Sequence, residues 1–308
     1  MTKEQWCLRV PVQDGESARR TAIAENILDR TLRPRAENGF LLIPVVSPRD
    51  GELRAEFAEN HVIEELPRHE QIGGIVVLQD DDPAGAEKIL AARPSAHTAL
   101  FATSPVEGEF RTKTFKVLAG VPTTETMYHE YGRRMVIDLT AAYFSARLAN
   151  ERQRILSQMR GDETVLDMFA GVGPFPVMLG GSASFVIAND INPGAVLLMQ
   201  KNIRLNHLTN VVPMLGDARN LARILAPMKF DRIIMNLPMD AAEFLPEAAK
   251  LAKPGTIVHL YSLVEREGEH TADILHVFPG AKITERVLRS YSPTSWHAVY
   301  DIEVAACE

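Results

Sequence analysis

Apolar positions near the start of the chain come in short runs. Residues 7–12 and 40–46 are runs of strand length. Between them Ala22, Ile23 and Ile27 recur at helical spacing among Arg19, Arg20, Glu25 and Asp29, which predicts a helix over 16–28. A polar, acidic stretch over 47–65 then marks a first boundary. A second unit opens with the apolar strand 73–78, followed by a helix over 83–92 and a strand over 99–102. Two further strands are predicted at 115–118 and 134–139, joined by a loop that contains Gly120 and Pro122.

From about residue 149 the pattern changes to alternating helix and strand, as an open parallel sheet requires. A helix over 149–159 precedes a strand over 164–168. Strand 185–189, helix 193–205, strand 211–215, helix 218–224, strand 232–235, helix 241–252, strand 257–262 and helix 267–277 follow. The last two strands, 283–289 and 298–304, have no helix between them and are expected to pair antiparallel at the sheet edge. The expected fold class is therefore α/β, a doubly wound Rossmann-like sheet with an antiparallel terminal hairpin, preceded by two small α+β domains. The expected divisions are 1–66, 67–145 and 146–308. A sheet of this kind ending in a hairpin is typical of class I methyltransferases, and less so of domains that bind NAD. No internal repeat or low-complexity tract is visible.

Composition adds exclusions. The 308 residues carry a net charge of −7 with 46% apolar residues, ordinary values for a folded globular chain. Two cysteines, Cys7 and Cys307, make neither a disulfide framework nor a zinc cluster, so a reducing, cytoplasmic setting and no metal are expected. The start of the chain has no apolar signal core. An uncharged stretch over 169–189 is long enough to prompt a membrane check, but its four glycines and two prolines would break a spanning helix. No membrane association is expected. Charge is unevenly spread: residues 50–93 hold eleven acids and four bases, residues 111–160 nine bases and four acids. Such a basic middle segment is a candidate contact for an anionic polymer, or simply a solvated face.

Candidate chemistry lies at the strand ends. Asp167-Met168-Phe169-Ala170-Gly171-Val172-Gly173-Pro174-Phe175 ends the first strand of the sheet, where glycines let the backbone turn sharply beside a ligand. The third glycine of the dinucleotide fingerprint is missing, and Pro174 suits a ligand without a pyrophosphate. Asp190 ends the next strand, where a carboxylate can accept from both ribose hydroxyls, and Asp217 ends the third, within reach of an adenine amine. Either could instead cap a helix. Three such features at successive strand ends favour S-adenosyl-L-methionine. The fourth strand ends in Asn236-Leu237-Pro238, which resembles the Asn-x-Pro loop of methyltransferases acting on planar nitrogen. Arg147 and Glu151, four apart on a helix, read most simply as a surface ion pair.

Five ordered patches then change the weighting: Gly-Glu-Phe-Arg at 108–111, Phe-Ser-x-Arg-Leu-x-x-Glu-Arg at 144–152, the glycine loop, Asp-Ile-Asn-Pro at 190–193 and Met-Asn-Leu-Pro at 235–238. Together they resemble the archaeal and eukaryotic tRNA guanine-N1 methyltransferase family that modifies position 37. The likeness extends to the N-terminal unit and to Arg289-Ser290-Tyr291-Ser292-Pro293. Ala146 stands where the family usually has Pro. The resemblance implies that Glu151 is the general base for the guanine N1 proton and that Arg111 stabilises O6. Asn236 and Pro238 would frame the base. Tyr143, Arg152, Asp167, Gly171, Gly173, Asp190, Ile191, Asp217, Ala218 and Asn236 would surround the cofactor, and Arg111, Arg147, Tyr291 and Pro293 would hold the RNA. The implied partner is tRNA, through its anticodon loop and outer body, bound by a monomer. The nearest rival is the same fold transferring an aminocarboxypropyl group in wybutosine synthesis, or a bifunctional enzyme that also methylates a tricyclic guanine. An NAD-dependent oxidoreductase and a catalytically silent RNA-binding module are the readings from other classes.

Overall fold

The computed structural model of the chain describes residues 2–47, 53–59 and 66–306, and divides into two compact units, Met1–Leu66 and Pro67–Glu308. In the first unit, strand β1 (Thr2–Pro11) and helix α1 (Gly15–Ala24) precede β2 (Arg35–Glu37), β3 (Phe40–Pro44) and β4 (Arg54–Ala58). β1 is long enough to serve two antiparallel partners, β3 along residues 7–11 and β4 along residues 2–6. Cys7, Leu32, Leu42 and Phe57 make the buried cluster. Two expectations change here. β4 lies inside the stretch read as a boundary: Phe57 is its one fully buried residue, so its apolar signal is thin. The rest of that stretch, at 48–52 and 60–65, lies outside the described residues, as does Cys307. Helix α1 stops four residues early because Asn26 turns the chain with a left-handed φ of +57°.

The second unit begins with the hairpin β5 (His69–Ile72) and β6 (Ile75–Leu78). Helix α2 (Pro83–Ala92), β7 (Thr98–Ala102) and β8 (Phe115–Gly120) complete a four-stranded sheet of order β5-β6-β7-β8. Then come β9 (Glu125–Glu130) and β10 (Arg133–Asp138), an antiparallel hairpin of their own. The loop expected between 118 and 134 thus contains a strand. β9 escapes a pattern reading because two of its inward positions, Thr126 and Glu130, are polar yet buried.

Helix α3 (Ala149–Gln158) leads into the large sheet. Its elements are β11 (Thr164–Asp167), α4 (Pro174–Leu179), β12 (Phe185–Asp190), α5 (Pro193–Leu205), β13 (Val211–Leu215), α6 (Leu221–Leu225) and β14 (Phe230–Met235). After them come α7 (Leu245–Leu251), β15 (Ala252–Val264), α8 (Thr271–Val277), β16 (Lys282–Ser290) and β17 (Trp296–Glu303). The order is β13-β12-β11-β14-β15-β17-β16. The first five strands run parallel, and β17 lies antiparallel to both β15 and β16. This is the doubly wound sheet with a terminal hairpin. The helices expected at 218–224 and 241–252 each open with a 3-10 turn, and α8 is shorter than expected. Because β12 and β14 flank β11 on opposite sides, the winding reverses at β11, and ligands bind such sheets at the carboxyl ends beside that point.

One apolar cluster joins the smaller elements to the large sheet. It holds Ile75 and Leu100, Met135 and Ile137 of β10, Val172 and Val177 around α4, and Leu198 of α5. The boundary expected at 145/146 therefore falls within one compact unit. A polar latch reinforces the packing. Asn202 of α5, wholly buried, accepts from the Val136 N–H at 2.7 Å and donates to the carbonyls of Val136 (3.0 Å) and Val172 (2.9 Å). One turn on, Asn206 accepts from Arg134 N–H at 3.1 Å and donates to its carbonyl at 2.6 Å. Four helical residues advance about 6 Å and two strand residues about 6.6 Å, so the two amides fall in step with alternate residues of β10.

Candidate active site

The carboxyl ends of β11, β12, β13 and β14 open onto a cavity of about 1080 Å³. Gly171 and Gly173 both have positive φ (+56° and +89°), the conformation that lets the chain turn from β11 into α4. They serve differently. A Cβ at Gly171 would meet nothing closer than 3.7 Å, and this residue lines the cavity. One at Gly173 would lie 2.9 Å from Met199 Cγ, so Gly173 permits the packing of α4 on α5.

Asp190 lines the cavity with both oxygens already engaged: Oδ2 accepts from Gly171 N–H (2.6 Å) and Oδ1 from Asn192 N–H (2.9 Å). It thereby ties the glycine loop to the end of β12. Burial pushes its pKa up against the pull of those amides. Helix α5 is capped by Asn192 rather than by this carboxylate. Asp217, also in the wall, does cap the following 3-10 turn through Arg219 N–H at 2.9 Å. The capping alternative is thus realised at Asp217 alongside its place in the cavity. Ile191, Ala218, Tyr143, Asn236 and Pro238 line the same space.

The fit of a nucleoside cofactor is tested by what the protein leaves unpaired. Asp167 Oδ2, Asn189 Oδ1 and Asn236 Oδ1 are buried without a hydrogen-bond partner in the protein, and both asparagines face the cavity. Buried acceptors of this kind call for donors such as an ammonium, an exocyclic amine or hydroxyls. Gly216 adds to the cradle, since a Cβ there would sit 3.0 Å from Asn189 Oδ1. The residues present therefore suit S-adenosyl-L-methionine. Asp167 itself lies beneath the wall; burial, with Asp190 nearby, pushes its pKa up to about 8. Among the described residues no group of three or more metal-ligating side chains comes together.

The rim is basic. Arg111 takes a left-handed φ of +53° at the end of the turn closed by its N–H to Gly108 O (3.1 Å), and lines the cavity. Arg147 does not pair with Glu151; its guanidinium donates to Glu70 at 2.8 Å. Tyr291 lines the cavity and is exposed, whereas Pro293 does not line it. His297 faces Arg289, Arg111 and Arg147, and after burial their charges are what hold its pKa down.

Arg152 reaches the cavity wall from below, but both ends of its fork are fixed by Glu130 at 2.6 Å each, out of solvent. Glu151 sits below the wall too. Its carboxylate accepts from Arg154 and, through Oε1, from the Tyr261 hydroxyl at 3.0 Å, and Tyr261 does line the cavity. Sequence reasoning missed Tyr261, His297 and the ring pair Phe169–Phe244, whose centroids lie 5.0 Å apart in the wall. Phe169 stands inside the glycine motif and Arg289 inside the Arg-Ser-Tyr-Ser-Pro segment, which are usable signals; Tyr261 and His297 have none nearby.

Residues 126–276 match the TRM5/TYW2 methyltransferase domain, and residues 7–53 match the tRNA methyltransferase 5 N-terminal domain. The chain is 36% identical to the tRNA (guanine(37)-N(1))-methyltransferase Trm5b of Pyrococcus abyssi, over 97% of this chain and 98% of the relative. The crystal structure of Trm5b from that organism aligns with a TM-score of 0.76, at 33% identity over 98% and 99% of the two chains. The structure of aTrm5 in complex with tRNALeu aligns with a TM-score of 0.72, at 27% identity over 97% and 99%. A tRNA(Phe) (4-demethylwyosine(37)-C(7)) aminocarboxypropyltransferase of Methanocaldococcus jannaschii is 30% identical, over 76% of this chain and 96% of that protein.

Proposed function

Because the chain belongs to the family of tRNA (guanine(37)-N(1))-methyltransferases built on the TRM5/TYW2 methyltransferase domain, we propose that it methylates N1 of guanine 37 in tRNA with S-adenosyl-L-methionine as donor. The observation that carries this reading is the end-to-end likeness to Trm5b, which includes the N-terminal domain at 7–53. The likeness to the aminocarboxypropyltransferase stops at 76% of the chain.

S-adenosyl-L-methionine supplies a methyl group on an already activated sulfonium. The chain's part is to grip, aim and move one proton. Asp190, Ile191, Asp217 and Ala218 wall the nucleoside side of the cavity, with Gly171 giving close backbone approach. Tyr143 stands in the same wall, and Arg152, locked by Glu130, gives it a rigid floor. Asn236 Oδ1, unpaired in the protein, suits the amine edge of a guanine, and the Pro238 carbonyl, held by Leu263 N–H at 2.9 Å, keeps that loop from drifting. Arg111 stabilises O6, where negative charge develops as N1 loses its proton. Glu151 receives that proton. A base stacked in an anticodon loop must turn outward to enter the cavity. The basic rim of Arg111, Arg147 and Arg289, with Tyr291 and neighbouring Pro293, holds the loop around it, and Met1–Leu66 docks on the outer body. The chain acts as a monomer.

The test is group transfer to a tRNA transcript with guanine at position 37, using donor labelled in the methyl group or, in parallel, in the carboxyl group. Methyl label should enter that tRNA and not a control with adenine at 37. Entry of the carboxyl label would instead make this an aminocarboxypropyl transferase.

A further inference from the structure

Behind Glu151 runs an unbroken file of ionisable groups, Arg154 and Asp301 partly exposed and His259, Arg232 and Glu163 buried, for which the proposed chemistry has no use so far. Arg154 of α3 is gripped from two sides. Towards the cavity its Nε and Nη2 reach Glu151 at 2.5–3.0 Å, and away from it Nη1 and Nη2 reach Asp301 of β17 at 2.6 and 3.0 Å. Asp301 Oδ1 lies 2.6 Å from His259 Nδ1, and His259 Nε2 lies 2.6 Å from Arg232 Nη1. Arg232 in turn donates to Glu163 at 2.7 and 3.0 Å. A guanidinium has only donors, so His259 Nε2 must accept, which leaves the proton on Nδ1 facing Asp301. The imidazole is neutral and oriented, and burial, first among the causes, holds its pKa down.

The bonds on Glu151 are unequal. Oε1 takes three donors, Arg154 Nε and Nη2 and the Tyr261 hydroxyl, whereas Oε2 takes only Arg154 Nε at 2.9 Å. A carboxylate oxygen saturated with donors is the poorer base, so the proton goes to the other one. We propose that Arg154, backed by Asp301, is the positioning residue for Glu151: the pair fixes the orientation of the carboxylate and leaves Oε2, the oxygen with fewer donors, as the proton-accepting atom. This rests on Glu151 being the base. In the transfer, the N1–H bond of guanine breaks and a new O–H bond forms on Oε2. The electron pair left on N1 makes the N–CH₃ bond as the methyl leaves sulfur.

The charge arrangement gives Arg154 and Asp301 opposite effects. Arg154 sets a positive charge against Glu151, and Asp301, on the other side of the same guanidinium, draws off part of that field. The other charged groups around Glu151 are already paired: Arg152 with Glu130 of β9, Arg232 of β14 with Glu163, and Arg147 with Glu70. Arg286 of β16 adds a half-exposed contact at 3.4 Å to Asp301, Tyr261 of β15 contributes only its neutral hydroxyl, and α4 has no charged side chain.

The experiment is single-turnover methyl transfer across pH by the full chain, at saturating tRNA and donor, for wild type, Glu151→Gln, Arg154→Gln, Arg154→Lys and Asp301→Asn. Arg154→Gln should move the acid limb of the profile up by about one to two pH units, and Asp301→Asn should move it down. Arg154→Lys, which keeps the charge but loses the fork, should leave the limb near its place and lower the plateau. Losses of rate in Arg154→Gln and Asp301→Asn with the acid limb unmoved would overturn the proposal. If Arg154→Gln fails to fold, the direction of the Asp301→Asn shift decides alone. Glu151→Gln separates the two ideas: a wild-type plateau there removes the base and its clamp together, whereas a collapsed plateau with unmoved limbs in the other variants removes the clamp only.

Discussion

Asp167 ends β11 beneath the cavity wall. It is buried, one of its oxygens has no partner in the protein, and its pKa is pushed up to about 8 from an ordinary 3.8. A raised folded pKa means that stability is greatest with the group protonated. It is lost as pH rises from the unfolded value towards about 8, and levels off above that. Asp167→Asn should therefore raise the melting temperature of the ligand-free protein more at pH 8 than at pH 5, while weakening affinity for the donor. An equal melting difference at both pH values would show that the carboxylate ionises freely. Two glycines offer a contrasting pair. Gly173→Ala, strained at φ +89° and crowded by Met199, should cost about 1–3 kcal/mol in denaturant unfolding. Gly216→Ala, whose backbone needs no positive φ but whose Cβ would meet Asn189 Oδ1 at 3.0 Å, should cost less stability than Gly173→Ala and reduce donor binding, read by calorimetry. At this scale the sequence is readable where the grouping is local: Gly171, Asp190, Asp217 and Asn236 lie at or just beyond the ends of four strands, and all four line the cavity. Tyr261, His259 and Asp301 join Glu151 from strands more than a hundred residues away, and no spacing along the chain announces that.

Among the elements, the parallel sheet was legible because each buried strand is a short apolar run between helices of clear period. The elements that escaped have polar sequences. β2 is exposed throughout, and β9 buries Thr126 and Glu130, the latter as half of an ion pair with Arg152. Arg152, expected at the cofactor, lines the cavity, and the partner that immobilises it lies in a strand the pattern did not predict. The latch between α5 and β10 belongs to this scale as well. Asn202 has no solvent to fall back on, whereas Asn206 is partly exposed. Asn202→Asp removes two donors from buried carbonyls and should lower stability by about 2–4 kcal/mol, measured by denaturant unfolding. Asn206→Asp should cost clearly less. Equal losses would mean that the latch is not what holds the helix to the strand edge.

In the whole molecule, Met1–Leu66 and Pro67–Glu308 are separate compact units, and the entire cavity lies in the second. Removal of residues 1–66 should therefore weaken tRNA binding without changing affinity for S-adenosyl-L-methionine; loss of both would contradict the division of labour. Raising salt should likewise weaken tRNA binding steeply and donor binding little, because phosphate contacts release counterions. Inside the second unit no such independence exists. Val172, inside the glycine turn, and Val177 of α4 share one apolar cluster with Met135 and Ile137 of the β9–β10 hairpin and with Ile75 and Leu100 of the small sheet. The donor's cradle and the strands beside the basic rim are thus cast as a single piece. Evolution cannot retune one without disturbing the other, so a graft of residues 67–145 from a relative would have to bring the matching faces of α4 and α5 with it.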